Sequence, residues 1–187
     1  MKGGAVLTER KATKVIQDAG YKVVSFKLGE PPVVTAYLFS VSKLEPEGRA
    51  SIESGLRQEL EGADEVVVDS LGRATVVVGG EAAPGREAVF ASLEKRGVAA
   101  EGIETRTWPK LDATYVVAVP GMNDAVEARA VADALAGVAK VVAVHVYQDT
   151  ATATLWLKEP CDALEANVRA ALTPTGFSVS RFELKND

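Results

Sequence analysis

One cysteine and one histidine stand among 187 residues. Cys161 by itself excludes an internal disulfide. With His145 in an unrelated position, it builds neither a Cys/His nor a Ser/His/Asp catalytic set. Positive charge is short as well. Lys and Arg number 21 against 26 Asp and Glu, a net charge of −5 with no basic stripe, which argues against nucleic acid as a partner. No run approaches the roughly 18–20 consecutive apolar residues that cross a bilayer, so membrane insertion is not expected. The opening stretch Met1–Leu7 meets charge again at Glu9, too early for a signal-peptide core. Nothing resembling Gly-Lys-Ser/Thr follows Gly79-Gly80, which excludes a phosphate loop. These absences predict a soluble chain that is not an enzyme and holds no cofactor. It is cytoplasmic by default, an expectation that lapses if the chain belongs to a longer protein.

What is present is ordinary globular material: 47% hydrophobic and 25% charged residues. Much of the apolar share is Val and Ala, which suits short strands packed under helices. The length allows one large domain or two small ones of roughly 70–80 residues. Charge is unevenly spread. Residues 1–32 carry six Lys/Arg against three Asp/Glu, residues 33–109 eight against thirteen, and residues 110–187 seven against ten.

The chain repeats itself. A helical stretch, a Gly and then a strand recur at Val15–Val23, Leu93–Val98 and Leu172–Val179, as expected where Gly caps a helix. Leu60-Glu61-Gly62-Ala63 and Leu135-Ala136-Gly137-Val138 each precede a Val-rich strand. Two complete units follow. In residues 33–109, Val33–Val41 reads as a strand, and the next helix sets Ile52, Leu56 and Leu60 on one face. Strands near Val66–Asp69 and Arg73–Val78 flank the turn Ser70-Leu71-Gly72. A helix with Val89, Phe90 and Leu93 inward and a last strand ending near Trp108 complete the unit, and Trp108-Pro109-Lys110 reads as a linker. In residues 110–187 the same order runs through a strand Thr114–Val119 and a helix Ala125–Ala136 with Ala128, Val131, Ala132 and Leu135 inward. Strands Val141–Val146 and Ala151–Leu157, a helix Asp162–Leu172 and a strand Ser178–Leu184 finish it. The expected fold is therefore α+β: tandem ferredoxin-like βαββαβ domains, each a four-stranded antiparallel sheet with two helices on one face.

Residues 1–32 form a partial repeat: a short strand (Gly4–Leu7), a helix (Glu9–Ala19) and a strand (Tyr21–Leu28). Two strands alone are marginal in water. The segment is then the end of a longer array, a piece that pairs with the sheet edge of another domain or copy, or a fragment boundary.

Val119-Pro120-Gly121-Met122 after the first strand of the second unit, Ala136-Gly137-Val138 after its first helix, and Gly176-Phe177 before its last strand form a pattern. This resembles the heavy-metal-associated domain of copper chaperones, metal-pumping ATPases and the mercury-binding protein. Asp18-Ala19-Gly20-Tyr21 is similar to the same family's ending. The resemblance implies a first loop reading Gly-Met-x-Cys-x-x-Cys, in which two thiolates take a soft ion. Here Gly121-Met122 is followed by Asn123-Asp124, in a loop about three residues shorter. In the first unit Lys43-Leu44-Glu45-Pro46-Glu47-Gly48-Arg49 fills the loop, with Pro46 and Arg49 at the cysteine positions. Proline has no ligand atom and arginine is a permanent cation. Both loops are thus expected to be degenerate, with no metal site in this chain.

The remaining candidates read as structural. Cys161 sits at or just before a helix start. His145, between Val144 and Val146, is expected to face solvent as strand filler. Met122 is expected to pack beneath its loop. Asp124, Glu127, Asp162 and Glu165 are expected in the first turns of helices, where the macrodipole favours acids. Three functions fit: a binding or scaffold protein of tandem metal-domain type that uses sheet edges to engage a protein or another copy of itself; a spacer in a longer protein whose Cys-x-x-Cys lies upstream; or a small-molecule sensor like the amino-acid-binding regulatory (ACT) domains, with sheets side by side.

Overall fold

The computed structural model describes residues 16–20, 32–42, 48–79, 84–109 and 114–185. The chain divides into two compact units, residues 1–31 with 186–187, and residues 32–185. In the first, residues 16–18 are helical, the Gly20 N–H donates to the Gln17 carbonyl at 2.9 Å, and Gly20 takes φ 84°. The strands expected over 4–7 and 21–28, and the start of the helix, lie outside the described residues.

The larger unit begins with β1 (Val33–Val41), α1 (Gly48–Glu59), β2 (Ala63–Val68), β3 (Arg73–Gly79), α2 (Arg86–Lys95) and β4 (Ala100–Pro109). The order then repeats as β5 (Thr114–Ala118), α3 (Ala125–Ala136), β6 (Val141–Tyr147), β7 (Thr152–Leu157), α4 (Leu164–Leu172) and β8 (Arg181–Leu184). Each half forms a four-stranded antiparallel sheet, in the orders β2-β3-β1-β4 and β6-β7-β5-β8. The fold is α+β, two ferredoxin-like βαββαβ units in tandem.

Side-chain alternation places two separate cores. On β1, Tyr37, Phe39 and Val41 turn toward α1 and α2 and meet Ile52, Leu56, Val89 and Leu93. In the second sheet, Val117, Val144, Val146 and Leu155 meet Ala128, Val131, Leu135, Leu164 and Val168 of α3 and α4. Helix α3 forms because its apolar residues recur at i, i+3, i+4 and i+7, and because Asp124 caps it, Oδ1 accepting from the Val126 and Glu127 N–H groups at 2.8 Å each. The β2–β3 turn needs Gly72, whose φ is 76° and where a Cβ would collide with the Val41 carbonyl oxygen.

A third apolar layer, absent from the sequence-based picture, lies between the sheets. Val34 and Ala36 of β1, Val77 of β3 and Trp108 of β4 pack against Ala143 of β6 and Trp156 of β7. All of these project from the sheet faces opposite the helices, so the two sheets meet face to face rather than side by side. Trp108 and Pro109 are therefore not a linker. They end β4, paired with Val34 and Val33, and Trp108 is buried in the layer. Helix α4 starts at Leu164, which leaves Asp162 outside its first turn and without a capping bond. Strand β8 starts at Arg181, because Phe177–Ser180 runs up to it irregularly while burying Val179.

Candidate functional site

Of the two loops that resemble the metal-domain pattern, the described residues are engaged in structural contacts. In the second, Gly121 takes φ 94° and Met122 is 3% exposed, inside the α3–α4 core. The Asn123 N–H donates to Glu127 Oε2 at 2.7 Å, and the Asn123 side-chain amide donates to the Gly121 carbonyl at 3.0 Å. Asp124 caps α3 in the other direction, and the Glu127 carboxylate reaches back one residue beyond the cap, to the Asn123 N–H. In the first loop, Lys43, Leu44 and Pro46 lie outside the described residues. Arg49, in the first turn of α1, donates through Nη1 to the Ser70 hydroxyl in the β2–β3 turn of its own unit at 3.1 Å and reaches the second sheet's hairpin through Nη2, which pairs with Asp149 at 3.1 Å. Cys161 is half-buried ahead of α4, with the Asn167 amide 3.8 Å from its sulfur. Among the described residues no three His, Cys, Asp or Glu side chains cluster as a metal would require.

The densest polar chemistry lies instead at the junction of the sheets. The turn between β2 and β3 docks on the free edge of β6. Asp69, fully buried, accepts at Oδ2 from the Val146 N–H at 3.0 Å and at Oδ1 from the Leu71 and Arg73 N–H groups at 2.9 and 2.8 Å. The Ser70 N–H donates to the Val146 carbonyl at 3.0 Å, and the Gln148 N–H donates to the Ser70 hydroxyl at 3.1 Å. Arg106 of β4, held by a bidentate pair with Glu104, donates to the Val142 carbonyl at 3.2 Å. Strand β6 thus has edge groups satisfied by the other sheet, as an exposed edge demands. Leu71 from the same turn packs onto the α3–α4 core.

His145 is the clear departure from expectation. It does point away from its own helix-side core, but that face meets the first sheet, so it is 1% exposed rather than solvent-facing. Trp156 stands edge-on to it with ring centroids 5.3 Å apart. Neither ring nitrogen has a hydrogen-bond partner, and Arg73 Nη2 is buried without one too, its nearest anion being Asp133 at 3.7 Å. Burial lowers the His145 pKa to about 4, and the Arg73 cation adds to the shift. The Arg73 carbonyl opposes it weakly, at a geometry short of a hydrogen bond. Burial also raises the Asp69 carboxyl above its usual range, against the pull of the Val146, Arg73 and Leu71 N–H groups and the Arg73 charge. Tyr147, beside the junction, is raised to about 12 by burial and by Glu53 and Asp69.

Asp69, Arg73, Trp108, Trp156 and the junction they form were missed from sequence. The available signal was the unbroken run Val76-Val77-Val78, apolar on both sides of a strand, which marks burial on both faces.

No family model matches the sequence, and no curated protein matches it. Among solved structures, the chain is similar to the N-terminal soluble domains of Bacillus subtilis CopA, at 20% identity over 85% of this chain and 97% of that one, TM-score 0.32. It is similar also to the water-soluble region of the P-type ATPase CopA from Bacillus subtilis, at 21% identity over 85% and 94%, TM-score 0.33. A microcompartments protein from Desulfitobacterium hafniense matches at 12% identity over 82% and 94%, TM-score 0.28.

Proposed function

We propose that this chain is a non-catalytic binding or scaffold protein, built from two ferredoxin-like units of heavy-metal-associated type at 33–109 and 110–187 behind a partial repeat at 1–32, in which the metal loops have become structural. The observation that carries it is the use of the loop positions. Arg49 is held by Ser70 in its own unit and ties that unit to the second through Asp149, while Asn123 and Asp124 are taken up by the capping of α3. A residue committed in this way is not free to reorganise around an ion, and neither a guanidinium nor an amide suits a soft metal. The donor set does not fit a metal. Function then falls to surfaces, with the outer strands of the sheets, β4 and β8, offered to a protein partner or another copy.

Titration of the reduced protein with Cu(I) or Hg(II) against a competing chelator tests this. No stoichiometric binding is expected. Tight binding lost on substitution within 43–49 or 121–125 overturns the proposal. The sensor reading called for sheets side by side. Here they lie face to face, and nothing in the two loops favours it over the scaffold reading.

A further inference from the structure

Between the helix-free face of the first sheet and the edge of β6 runs a cleft of about 310 Å³, lined by Arg73, Glu104 and Arg106 on one side and by Val142 and His145 on the other, with Leu38 at its floor. That volume sits at the lower end of the range for small-molecule sites. The polar groups in its wall are of two kinds. Arg106 is already engaged by Glu104 and the Val142 carbonyl. Arg73 Nη2 and both His145 nitrogens are buried with no hydrogen-bond partner, and all three belong to residues lining the cleft. Buried polar atoms left unpaired are costly and rare, so three beside one cleft call for an explanation in terms of what enters it.

We infer that this cleft binds a small organic carboxylate, whose oxygens take hydrogen bonds from the Arg73 guanidinium and the His145 imidazole and whose short apolar body lies against Leu38 and Val142. The charge balance selects the class. Two guanidinium groups and one carboxylate leave one net positive charge in the wall, which suits a monoanion. Asp133, 3.7 Å from Arg73, has its side chain 70% exposed, so solvent screens its competition. A neutral imidazole still has one N–H to donate, and a guanidinium presents the fork that matches a carboxylate. A metal cation is disfavoured by the same two arginines. The site is independent of the degenerate loops: it stands whether or not the protein also acts as a scaffold.

His145 is the only histidine, so its imidazole gives a single pair of ¹⁵N signals that report on the cleft directly. The full-length protein is titrated at pH 7 with acetate, propionate and benzoate, and in parallel with propylamine and inorganic phosphate, following those signals and the heat of binding. Saturable one-to-one binding of at least one carboxylate is expected, with the imidazole resonances moving and neither control competing. R73M should abolish binding. H145L, which replaces the ring with an apolar side chain and keeps the layer filled, should weaken it at least about tenfold while the far-UV spectrum stays that of the parent. D133N should leave binding intact. Saturation by phosphate or by the amine in place of carboxylates, binding that survives R73M, or no saturable binding of any carboxylate overturns the inference.

Discussion

The neutral His145 imidazole ties stability to pH. In the unfolded chain its pKa is about 6.5, whereas in the fold it is lowered to about 4. Between those values the unfolded state binds the proton and the native state does not, so stability falls as pH drops from about 6.5 to about 4 and then levels off. The total is about 3 kcal/mol. The charged group acting on the ring is Arg73, whose cation favours the neutral form. Glu59 shows a lowered pKa with desolvation opposing Arg96 and Lys95, and Glu104 one caused first by its hydrogen bond from Arg106. Such lowered carboxylates lose stability only below about 4.5, so the slope above that belongs mainly to His145. Raised Asp69 acts with the opposite sign, giving up stability as pH rises through its folded pKa. Urea unfolding at pH 7 and pH 4.5 should show the loss in the parent and little of it in H145L. At the same junction, Asp69→Ala strips the acceptor from three backbone N–H groups, that of Val146 buried between the sheets. A loss of about 2–3 kcal/mol is expected in chemical denaturation.

At the scale of elements, most of the architecture was legible. Helix α3 fell where its period, its Asp cap and the following Gly placed it, and the first hairpin formed around its expected turn, Ser70-Leu71-Gly72. The errors share one cause. Periodicity reports which residues share a face, and it says nothing about what covers that face. His145 was correctly placed opposite its own helices and wrongly assigned to water, because the covering surface comes from a strand 70 residues earlier. Trp108 was read as a linker residue because Pro109 follows it, but β4 is an edge strand, where proline is tolerated. The arginine contacts of the candidate cleft depend on tertiary placement and left no local signal at all. Gly72 shows the reverse case, a local rule with a tertiary consequence. Gly72→Ala forces a left-handed conformation and a clash with Val41 on the turn that docks to β6. It should cost about 2 kcal/mol or more and loosen the junction, seen as faster amide exchange at Val146.

The whole of residues 32–185 has three apolar layers rather than two, and the middle one is shared. Thermal unfolding by calorimetry should therefore show a single transition for this unit. Trp156→Ala removes the largest contribution of the second sheet to the shared layer and should cost about 3–5 kcal/mol. With the layer weakened, the heat-capacity trace should broaden or split into two peaks, while each helix-side core keeps its own contacts. A single, uniformly shifted peak would mean that the sheets are coupled by the Asp69 turn rather than by the tryptophans.

The strand satisfied by its neighbour's turn also has a bearing on solubility. Val142 and Val146 present peptide groups that Arg106, Asp69 and Ser70 engage. Any event that parts the sheets would uncover a valine-rich ribbon, Val141-Val142-Ala143-Val144, with nothing to terminate further pairing. Detachment of the two halves would then appear first as self-association that grows with protein concentration, before any loss of secondary structure.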